Sequence, residues 1–282
     1  MNRKLSQTIA FTVLRISTLF VVVPVLLVMY FIISRGWRSM SWSFLSTMPA
    51  EGGVSGGISG PIIGTLILVT CTIGIALPLG LLSAIYLSEY AKPNLFTRVI
   101  RLAIVNLAGV PSIVYGLFGV GIFLLFLKMQ PSILVASMTL ALLILPVLIV
   151  GAEEALRSVP QGFRDASLAL GATKWQTVQR IVLPNALPGI ITGTILGLSR
   201  ASGETAPILF TGAVALMGHM PHSLHDPFMA LPYHLYMISA ASGATVPEYM
   251  QWGTALTLLT IVLTMNIAAA IVRLHYRRKQ VW

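Results

Sequence analysis

The chain has 282 residues and a formal net charge of +10, and 56% of its residues are hydrophobic whereas only 9% are charged. Soluble domains carry about 25% charged residues, so this composition excludes a soluble globular protein and predicts an all-α integral membrane protein. The basic residues are spread over short connecting segments and form no single basic face, which argues against a nucleic-acid partner. The length allows about six helices of ~20 residues, and we expect a single transmembrane domain over residues 1–282.

Six apolar runs predict six membrane-spanning helices. In chain order the runs cover residues 13–33, 61–88, 99–127, 132–151, 186–211 and 253–274. The third and fourth runs are joined only by Lys128-Met129-Gln130-Pro131, so we expect them to form an antiparallel hairpin. Gly193 and Gly197 of the fifth run have a spacing that favours close packing of two helices.

The distribution of Lys and Arg predicts the orientation of these spans. With the N-terminal segment inside, fourteen of the 18 basic residues lie in inner segments, and the outer segments hold only Arg35, Arg38 and Lys128. Short cytoplasmic loops are enriched in basic residues. We therefore expect both termini and the polar segment 152–184 to be cytoplasmic.

The polar segment 152–184 has the pattern of two short helices joined by a tight turn. Phe163, Ala166 and Leu170 are three and four residues apart and share one helical face. Gly171 follows them, at a position where a left-handed backbone favours glycine. The pattern predicts a helix-turn-helix whose apolar face either docks a partner protein or lies on lipid headgroups.

The second helix of this segment has both a start and a stop signal. Thr173 and Gln176 form a capping-box pattern at its start. Its apolar face is formed by Trp175, Val178 and Ile181. We expect Pro184 to end this helix and Asn185 to cap the next one.

Arg200 and Glu204 are charged residues inside the fifth run, one helical turn apart. An ionised side chain at a helix centre costs about 2.5–3.5 kcal/mol on insertion scales, so such a pair requires a reason. Ser199 and Thr205 make the same stretch polar, and Pro207 is expected to perturb the helix just beyond. The pair is either a structural lock between helices or part of a translocation path whose guanidinium binds an oxyanion. We favour the second interpretation and take Arg200, Glu204, Ser199 and Thr205 as path residues.

The loop 212–252 after the fifth run contains residue types that ligate metals: His219, His222, His225 and Asp226. Pro221 and Pro227 interrupt this stretch, and we expect no metal site there. Two interpretations of the loop remain open. It forms a re-entrant or interfacial helix, or it is a surface contacted by an extracytoplasmic binding protein.

Signatures of catalysis are missing from the sequence. No Gly-Lys dipeptide occurs, so there is no P-loop, and neither His-Glu-x-x-His nor Gly-x-Ser-x-Gly is found. Glu153 and Glu154 are paired carboxylates, but beside Arg157 we expect them to be salt-bridged surface residues. We therefore predict no catalytic residue, no cofactor and no enzymatic activity for this chain.

The spacing within residues 165–184 resembles the cytoplasmic EAA loop of the membrane subunits of ABC importers. The matching positions are Asp165, Ala166, Gly171, Ile181, Leu183 and Pro184. Asp165 stands where the family pattern has Glu, which keeps the charge. The resemblance implies that these residues form a loop, between the fourth and fifth spans, that couples the chain to a cytoplasmic ATPase.

Three further stretches resemble the phosphate importer permeases: residues 109–119, 154–160 and 200–207. The stretches 56–65 and 204–207 are more similar to the A-type than to the C-type permease subunit. The resemblance covers residues 58–275 and implies the type I fold of ABC importer permeases.

The same resemblance implies an inner-membrane protein of bacteria that is embedded in lipid and works with other chains. These are a C-type phosphate permease subunit in a heterodimer, two copies of a cytoplasmic ATP-binding subunit and an extracytoplasmic phosphate-binding protein. Phosphate would cross between the two permeases, driven by ATP hydrolysed on the partner. The alternatives are a permease for sulfate, molybdate or phosphonate, or the C-type paralogue. A different class is an ATP-independent secondary transporter or channel with Glu204 as a proton relay.

Overall fold

The computed structural model describes residues 3–240 and 246–277, most of which are helical. The helices are α1 (Arg3–Gly36), α2 (Trp42–Ser46), α3 (Ser59–Ile85), α4 (Leu95–Ala108), α5 (Ser112–Gly119), α6 (Ile133–Arg157), α7 (Gln161–Ala169), α8 (Lys174–Thr177), α9 (Leu183–Gly203), α10 (Ala206–Thr211), α11 (Leu231–Ala240) and α12 (Glu248–Arg277). Three π-helical segments adjoin α3, α5 and α9: Tyr86–Tyr90, Val120–Phe126 and Val178–Val182. The short strands β1 (Pro49–Ala50) and β2 (Ser55–Gly56) pair in antiparallel fashion between α2 and α3.

Within the described residues, five helices are long and apolar enough to span a membrane, and one bent pair of helices is a sixth candidate. The five are Gln7–Ser39, Ser59–Tyr90, Ile133–Arg157, Lys174–Gly203 and Glu248–Tyr276. Each overlaps one of the predicted apolar runs. The prediction of an all-α membrane protein with about six spans is confirmed.

The third predicted run, 99–127, is not one straight helix. It consists of α4 and the segment Ser112–Phe126, which meet at an angle of 105°. Pro111 lies at the junction, and a proline disfavours the helical conformation of the residue before it. Both halves of the run nevertheless pack against α6: Gly119 of the second half packs against Thr139, and Arg101 of the first half pairs with Glu153.

The fifth predicted run, 186–211, is displaced in the structure. A continuous helix begins at Lys174 and ends at Gly203, and α10 forms a separate short helix after a break. The helix therefore extends further toward the α7–α8 hairpin (residues 161–177) than hydropathy indicates.

The prediction that Pro184 ends a helix and that Asn185 caps the next one is wrong. In a regular α-helix the ring of Pro184 would clash with the carbonyl group of Arg180, and its missing N–H would leave that carbonyl without a donor. The π-helical segment Val178–Val182 widens the backbone at this point, so the helix continues. Asn185 instead donates its side-chain amide to the carbonyl oxygen of Ile181 at 2.8 Å.

The central helix of the fold is α6, which packs against α3, α4, α5, α9 and α10. Its contact with α9 is close because glycines meet there. Gly193 lies opposite Gly151, and Gly197 lies opposite Leu148. The predicted packing role of Gly193 and Gly197 is confirmed.

The two ends of α3 mark the two ends of the molecule. Near its first turn, Gly60 lies beside Met48, and Thr65 accepts a hydrogen bond from the N–H of Leu231 at 2.8 Å. Near its last turn, Glu89 contacts the α7–α8 hairpin. Residues 212–240 of the loop therefore fold onto the end opposite the hairpin, where helix α11 has a buried first turn.

Helix α1 stands apart from the rest of the fold. Its apolar side chains are exposed along most of its length, and its main contacts are with α12 and with the turn Trp37–Ser39. At the junction, Gly36 lies directly against the carbonyl oxygen of Trp252 and the side chain of Leu256.

Candidate functional site

The turn of the α7–α8 hairpin depends on a glycine. Gly171 has a φ of +82°. Its N–H donates to the carbonyl oxygen of Leu168 at 3.0 Å, and the N–H of Ala172 donates to that of Ser167 at 3.2 Å, which is the pattern of a Schellman motif. A side chain at position 171 would meet open space, so the backbone conformation alone requires glycine. The predicted left-handed cap is confirmed.

The start of α8 is fixed by the predicted capping box. The hydroxyl of Thr173 accepts a hydrogen bond from the N–H of Gln176 at 3.3 Å, and the side-chain oxygen of Gln176 accepts one from the N–H of Thr173 at 2.8 Å. Two of the orphan N–H groups at the helix start are thereby satisfied. Glycine cap and capping box together fix the direction in which the second helix leaves the turn.

The hairpin presents large apolar side chains to its surroundings. Their exposed fractions are 39% for Phe163, 47% for Leu168, 89% for Leu170 and 51% for Trp175. We call these four residues the hairpin surface. Solvent-exposed protein surfaces rarely present several large apolar side chains together unless they bind a partner or a membrane.

The other predicted coupling-loop residues lie close to this surface but differ in burial. Asp165 and Ala166 are exposed, and Asp165 accepts a hydrogen bond from the side chain of Gln161 at 3.1 Å. Ile181 and Leu183 are half-buried, and Pro184 is exposed. The predicted apolar face of the second helix is split, because Val178 is buried in the core while Trp175 is exposed.

Arg164 anchors the hairpin to the end of α3, a contact that the sequence analysis missed. Its Nε and Nη2 atoms donate to the two carboxylate oxygens of Glu89 at 3.2 and 2.8 Å. Its guanidinium also donates to the carbonyl oxygens of Val159 at 2.6 Å and Leu156 at 2.8 Å. The two side chains are only 11% and 7% exposed. The only signal in the sequence was an acidic residue immediately after the second apolar run.

Glu153 forms a second ionic centre near the same end of the molecule. Its Oε1 lies 2.8 Å from Nε of Arg101 on α4 and 2.8 Å from Nη2 of Arg157. The predicted salt bridge with Arg157 is confirmed, but Glu153 is buried rather than on the surface. Glu154 is exposed, as expected. Through Arg101, this centre holds the bent helix α4 against α6.

The helix break after Gly203 contains the predicted ion pair. A continuous helix would place the ring of Pro207 against the carbonyl group of Gly203. α9 therefore ends at Gly203, Glu204 takes an extended backbone conformation, and Pro207 occupies the first turn of α10, where its missing N–H costs nothing. Nε of Arg200 lies 3.3 Å from Oε1 of Glu204, and the side chains are 32% and 17% exposed.

The break lies about halfway along the central helix. Gly189 packs on Ala155, Gly193 on Gly151 and Gly197 on Leu148, so α9 and α6 run antiparallel in a regular register. Extending this register by one further turn places Arg200 level with the middle of α6. The sequence analysis located the pair inside the fifth apolar run, and its depth in a membrane stays a prediction.

The predicted path residues beside the pair have different surroundings. Ser199 lies on α9 at 2.7 Å from Oδ1 of Asn266 on α12, to which its hydroxyl donates. Thr205 lies in the break itself, before the first turn of α10. The sequence analysis missed two neighbours, Asn266 and Tyr115. Tyr115 lies on α5, which packs against α10 after the break, and its hydroxyl donates to the carbonyl oxygen of Leu107 at 3.0 Å across the bend between α4 and α5.

The histidine-rich loop does not bring its side chains together as a metal site. No group of three or more ligand residues that could hold a metal ion occurs among the described residues. Asp226 instead accepts hydrogen bonds from the N–H groups of His222 and Ser223, both at 2.9 Å. These two donors hold the pKa of Asp226 below its ordinary value. The aspartate therefore closes a loop turn.

The sequence matches known proteins over most of its length. Residues 76–280 match the family model described as "Binding-protein-dependent transport system inner membrane component". The chain is 36% identical to "Phosphate transport system permease protein PstA 1" of Mycobacterium tuberculosis (strain CDC 1551 / Oshkosh), an alignment that covers 99% of this chain and 92% of the relative. It is 31% identical to "Phosphate transport system permease protein PstA" of Pasteurella multocida (strain Pm70), with 95% of both chains covered.

Solved structures share the fold at low sequence identity. A bacterial alginate ABC transporter in complex with its periplasmic protein is similar with a TM-score of 0.67 and 12% identity, covering 94% of this chain and 93% of the other. The inward-facing MetNI methionine ABC transporter is similar with a TM-score of 0.56 and 19% identity, covering 78% and 94%. The predicted type I permease fold is confirmed.

Proposed function

Because the chain belongs to the family of binding-protein-dependent transport system inner membrane components, we propose that it carries inorganic phosphate across the membrane as one permease subunit of an ATP-driven importer. The observation that carries this proposal is the ion pair at the break between α9 and α10. Arg200 makes a single hydrogen bond to Glu204, at 3.3 Å, so most of its donors are free for an oxyanion. Phosphate transport in the similar PstA proteins supports the choice of substrate.

Arg200 is proposed to bind phosphate through its planar guanidinium, which presents two parallel N–H groups to an oxyanion. Glu204 would neutralise Arg200 while the path is empty and be displaced when phosphate arrives. Without such a counter-charge, burial of the guanidinium would destabilise the protein. Arg200 would also release phosphate slowly. Ser199 and Thr205 are proposed to line the same passage with hydroxyl groups.

The α7–α8 hairpin is proposed to dock on a cytoplasmic ATP-binding subunit. Its four-residue apolar surface and its exposed Asp165 and Ala166 match the residues expected to face such a partner. The ion pair of Arg164 with Glu89 would pass movement of the docked hairpin to α3. ATP would then be hydrolysed on the partner, since this chain carries no signature of an ATPase.

The proposed function includes further partners. We propose a heterodimer with a C-type phosphate permease, two copies of the ATP-binding subunit, and an extracytoplasmic phosphate-binding protein that delivers the substrate. The basic residues of the inner segments favour an orientation with the hairpin and both termini in the cytoplasm.

The test is phosphate uptake into proteoliposomes that contain the assembled complex and internal ATP. We expect Arg200→Gln to lower uptake at least tenfold, on the order of the 2–5 kcal/mol lost when a buried charge contact is truncated, while the yield of the complex changes little. Glu204→Gln should also lower uptake, because Arg200 would hold phosphate too tightly. Arg15→Gln is the control, since Arg15 is an exposed arginine within the first apolar run.

A structural lock would give another pattern. Each single change would then reduce the yield of the complex, and the double change Arg200→Gln/Glu204→Gln would restore uptake to near the parent rate. That restoration would reject the path role of both residues. Preferred competition by sulfate, molybdate or a phosphonate over phosphate would reassign the substrate, and uptake without the ATP-binding subunit would reject the importer class.

A further inference from the structure

A cleft of about 490 Å³ opens between the end of α1 and the start of α12. Both helix ends lie on the side of the molecule opposite the α7–α8 hairpin, because Phe44 packs on Gly253 and its carbonyl oxygen accepts a hydrogen bond from the N–H of Ile58 beside the first turn of α3. The volume is within the range of small-ligand sites. The cleft is far from the ion pair at the helix break and takes no part in the proposed transport step.

The cleft contains three charges that do not neutralise one another. Arg35, Arg38 and Glu248 line it together, yet none of them belongs to the ion pairs found in the described part of the chain. The arginines that do belong to those pairs each lie within 3.3 Å of a carboxylate oxygen. A site with two free guanidinium groups and one free carboxylate is suited to a ligand that carries both an anion and a cation.

Arg35 is held in position without using its N–H donors. Its guanidinium carbon lies 5.1 Å from the ring centroid of Trp252 and 6.0 Å from that of Phe31. Such cation–π contacts orient the guanidinium plane and leave its edge free for bidentate hydrogen bonding. The side chain is therefore positioned before any ligand binds.

The cleft lies where the membrane interface is expected. Arg35 and Arg38 come directly after the apolar part of α1, and Glu248 precedes that of α12. Tyr249 and Trp252 line it, and Tyr249 is 49% exposed. Trp37, between the two arginines in the sequence, is 72% exposed. Exposed Trp and Tyr mark the headgroup level of a bilayer. The positive-inside bias gives no reason for two arginines on this side, whereas a local anionic ligand would give one.

We propose that the cleft binds one phospholipid headgroup of the leaflet opposite the hairpin. Arg35 and Arg38 bind its phosphate, and Glu248 binds the ammonium of an amine headgroup. The bound lipid would join α1 to α12, which is the main attachment of an otherwise exposed helix. The same phosphate chemistry would also suit free inorganic phosphate, but the aromatic surroundings and the free carboxylate favour the lipid.

Native mass spectrometry of the full chain, purified with the subunits that accompany it, tests this site. Dihexanoyl phosphatidylethanolamine, dihexanoyl phosphatidylglycerol and inorganic phosphate are titrated separately. We expect Arg35→Gln/Arg38→Gln to weaken binding of the amine lipid by about tenfold or more, as expected for the loss of charge-assisted hydrogen bonds. Lys128→Gln, which removes the third basic residue of the same side, should leave it unchanged.

Glu248→Gln provides a second readout that does not depend on the arginine variants. The parent should bind the phosphatidylethanolamine probe more tightly than the phosphatidylglycerol probe, and Glu248→Gln should abolish that preference while phosphate-group binding remains. Equal lipid binding by the parent and the double arginine variant would overturn the proposal. So would binding of inorganic phosphate alone in the cleft, or a headgroup preference that survives in Glu248→Gln. None of these outcomes depends on which substrate is transported.

Discussion

Two arginine–carboxylate pairs in this molecule are built in opposite ways. Arg164 and Glu89 lie 75 residues apart on different elements, share two hydrogen bonds of 2.8 and 3.2 Å, and are 11% and 7% exposed. Arg200 and Glu204 lie one turn apart, share one contact of 3.3 Å, and are 32% and 17% exposed. The residue types are the same, so the difference in role must come from the surroundings.

The comparison shows how a fold distinguishes a structural ion pair from a pair that is proposed to bind substrate. Four of the five N–H donors that a guanidinium offers are accounted for in Arg164, whose bonds run to Glu89 and to two backbone carbonyl groups. Arg164 has little capacity for another ligand. Arg200 makes one such bond and lies in the last turn of α9, just before the break. The pair of Arg164 and Glu89 is therefore suited to a structural role. In the pair of Arg200 and Glu204, the guanidinium has donors left for another anion.

The largest expected effect is on stability, at the ion pair of Arg164 and Glu89. Arg164→Ala leaves Glu89 buried without a partner, and loss of one member of a buried ion pair costs about 3–5 kcal/mol. We expect a marked fall in the melting temperature and in the yield of the purified complex. Arg157→Ala is the matched control, because Arg157 is 54% exposed in its pair with Glu153 and should matter little. Equal stability of the two variants would contradict the role assigned to Arg164.

A second prediction uses the same substitution at both pairs. Arg200→Lys keeps the charge but loses the planar fork, so we expect phosphate uptake at low concentration to fall roughly tenfold, which corresponds to about 1.4 kcal/mol, with an unchanged melting temperature. Arg164→Lys should lower the melting temperature, because one ammonium cannot replace donors that point in several directions. Uptake and melting temperature that fall together in both variants would remove the distinction between the pairs.

A smaller effect is expected at the turn of the hairpin. Gly171→Ala forces a side chain into a left-handed conformation, at a cost of about 1–2 kcal/mol, and should weaken association of the ATP-binding subunit. Gly162→Ala is the control, since position 162 is helical and an added Cβ there, as at 171, meets open space. Association constants can be measured with the purified subunit. A similar weakening in both variants would show that the association does not depend on the left-handed backbone of Gly171.

The smallest effect is expected beside the helix break. Ser199→Ala removes the hydrogen bond to Asn266 and should lower stability by about 1 kcal/mol, with a modest fall in uptake. Thr205→Ala, two residues from Pro207, should leave the melting temperature unchanged and lower uptake if its hydroxyl lines the path. Unchanged uptake in Thr205→Ala would remove this residue from the proposed path.

Local chemistry explains which parts of the hairpin could be predicted. The Schellman turn at Gly171 and the capping box of Thr173 with Gln176 depend on residues within six positions of one another, so their spacing in the sequence is sufficient. The prediction for Pro184 failed because a π-helical segment just before it absorbs the defect, and nothing in the residue pattern marks that segment. A proline indicates that a regular α-helix is disturbed, but it does not indicate which backbone conformation replaces it.

Contacts between distant segments could not be predicted. Glu89 and Arg164 are linked only by the way α3 and α6 pack, and Asn266 reaches Ser199 only because α12 lies against α9. Hydropathy also treats residues 99–127 as one run, because the bend at Pro111 does not interrupt its apolar character. The charges of Arg200 and Glu204 were sufficient to predict the ion pair in the fifth run. Its location in a helix break follows only from Pro207, whose ring would clash with the carbonyl group of Gly203 in a continuous helix.

The continuity of the helix from Lys174 to Gly203 has a mechanical consequence. Its 30 residues make a rod of about 45 Å at 1.5 Å per residue, with the hairpin at one tip and the helix break at the other. A tilt of about 5° would shift the far tip by roughly 4 Å over such a length, more than the width of a hydrogen bond. If Pro184 had ended a helix, a flexible connection at that residue would have kept this movement from reaching the helix break. Under the proposed docking, movement of the hairpin would therefore be transmitted along the helix to Arg200 and Glu204.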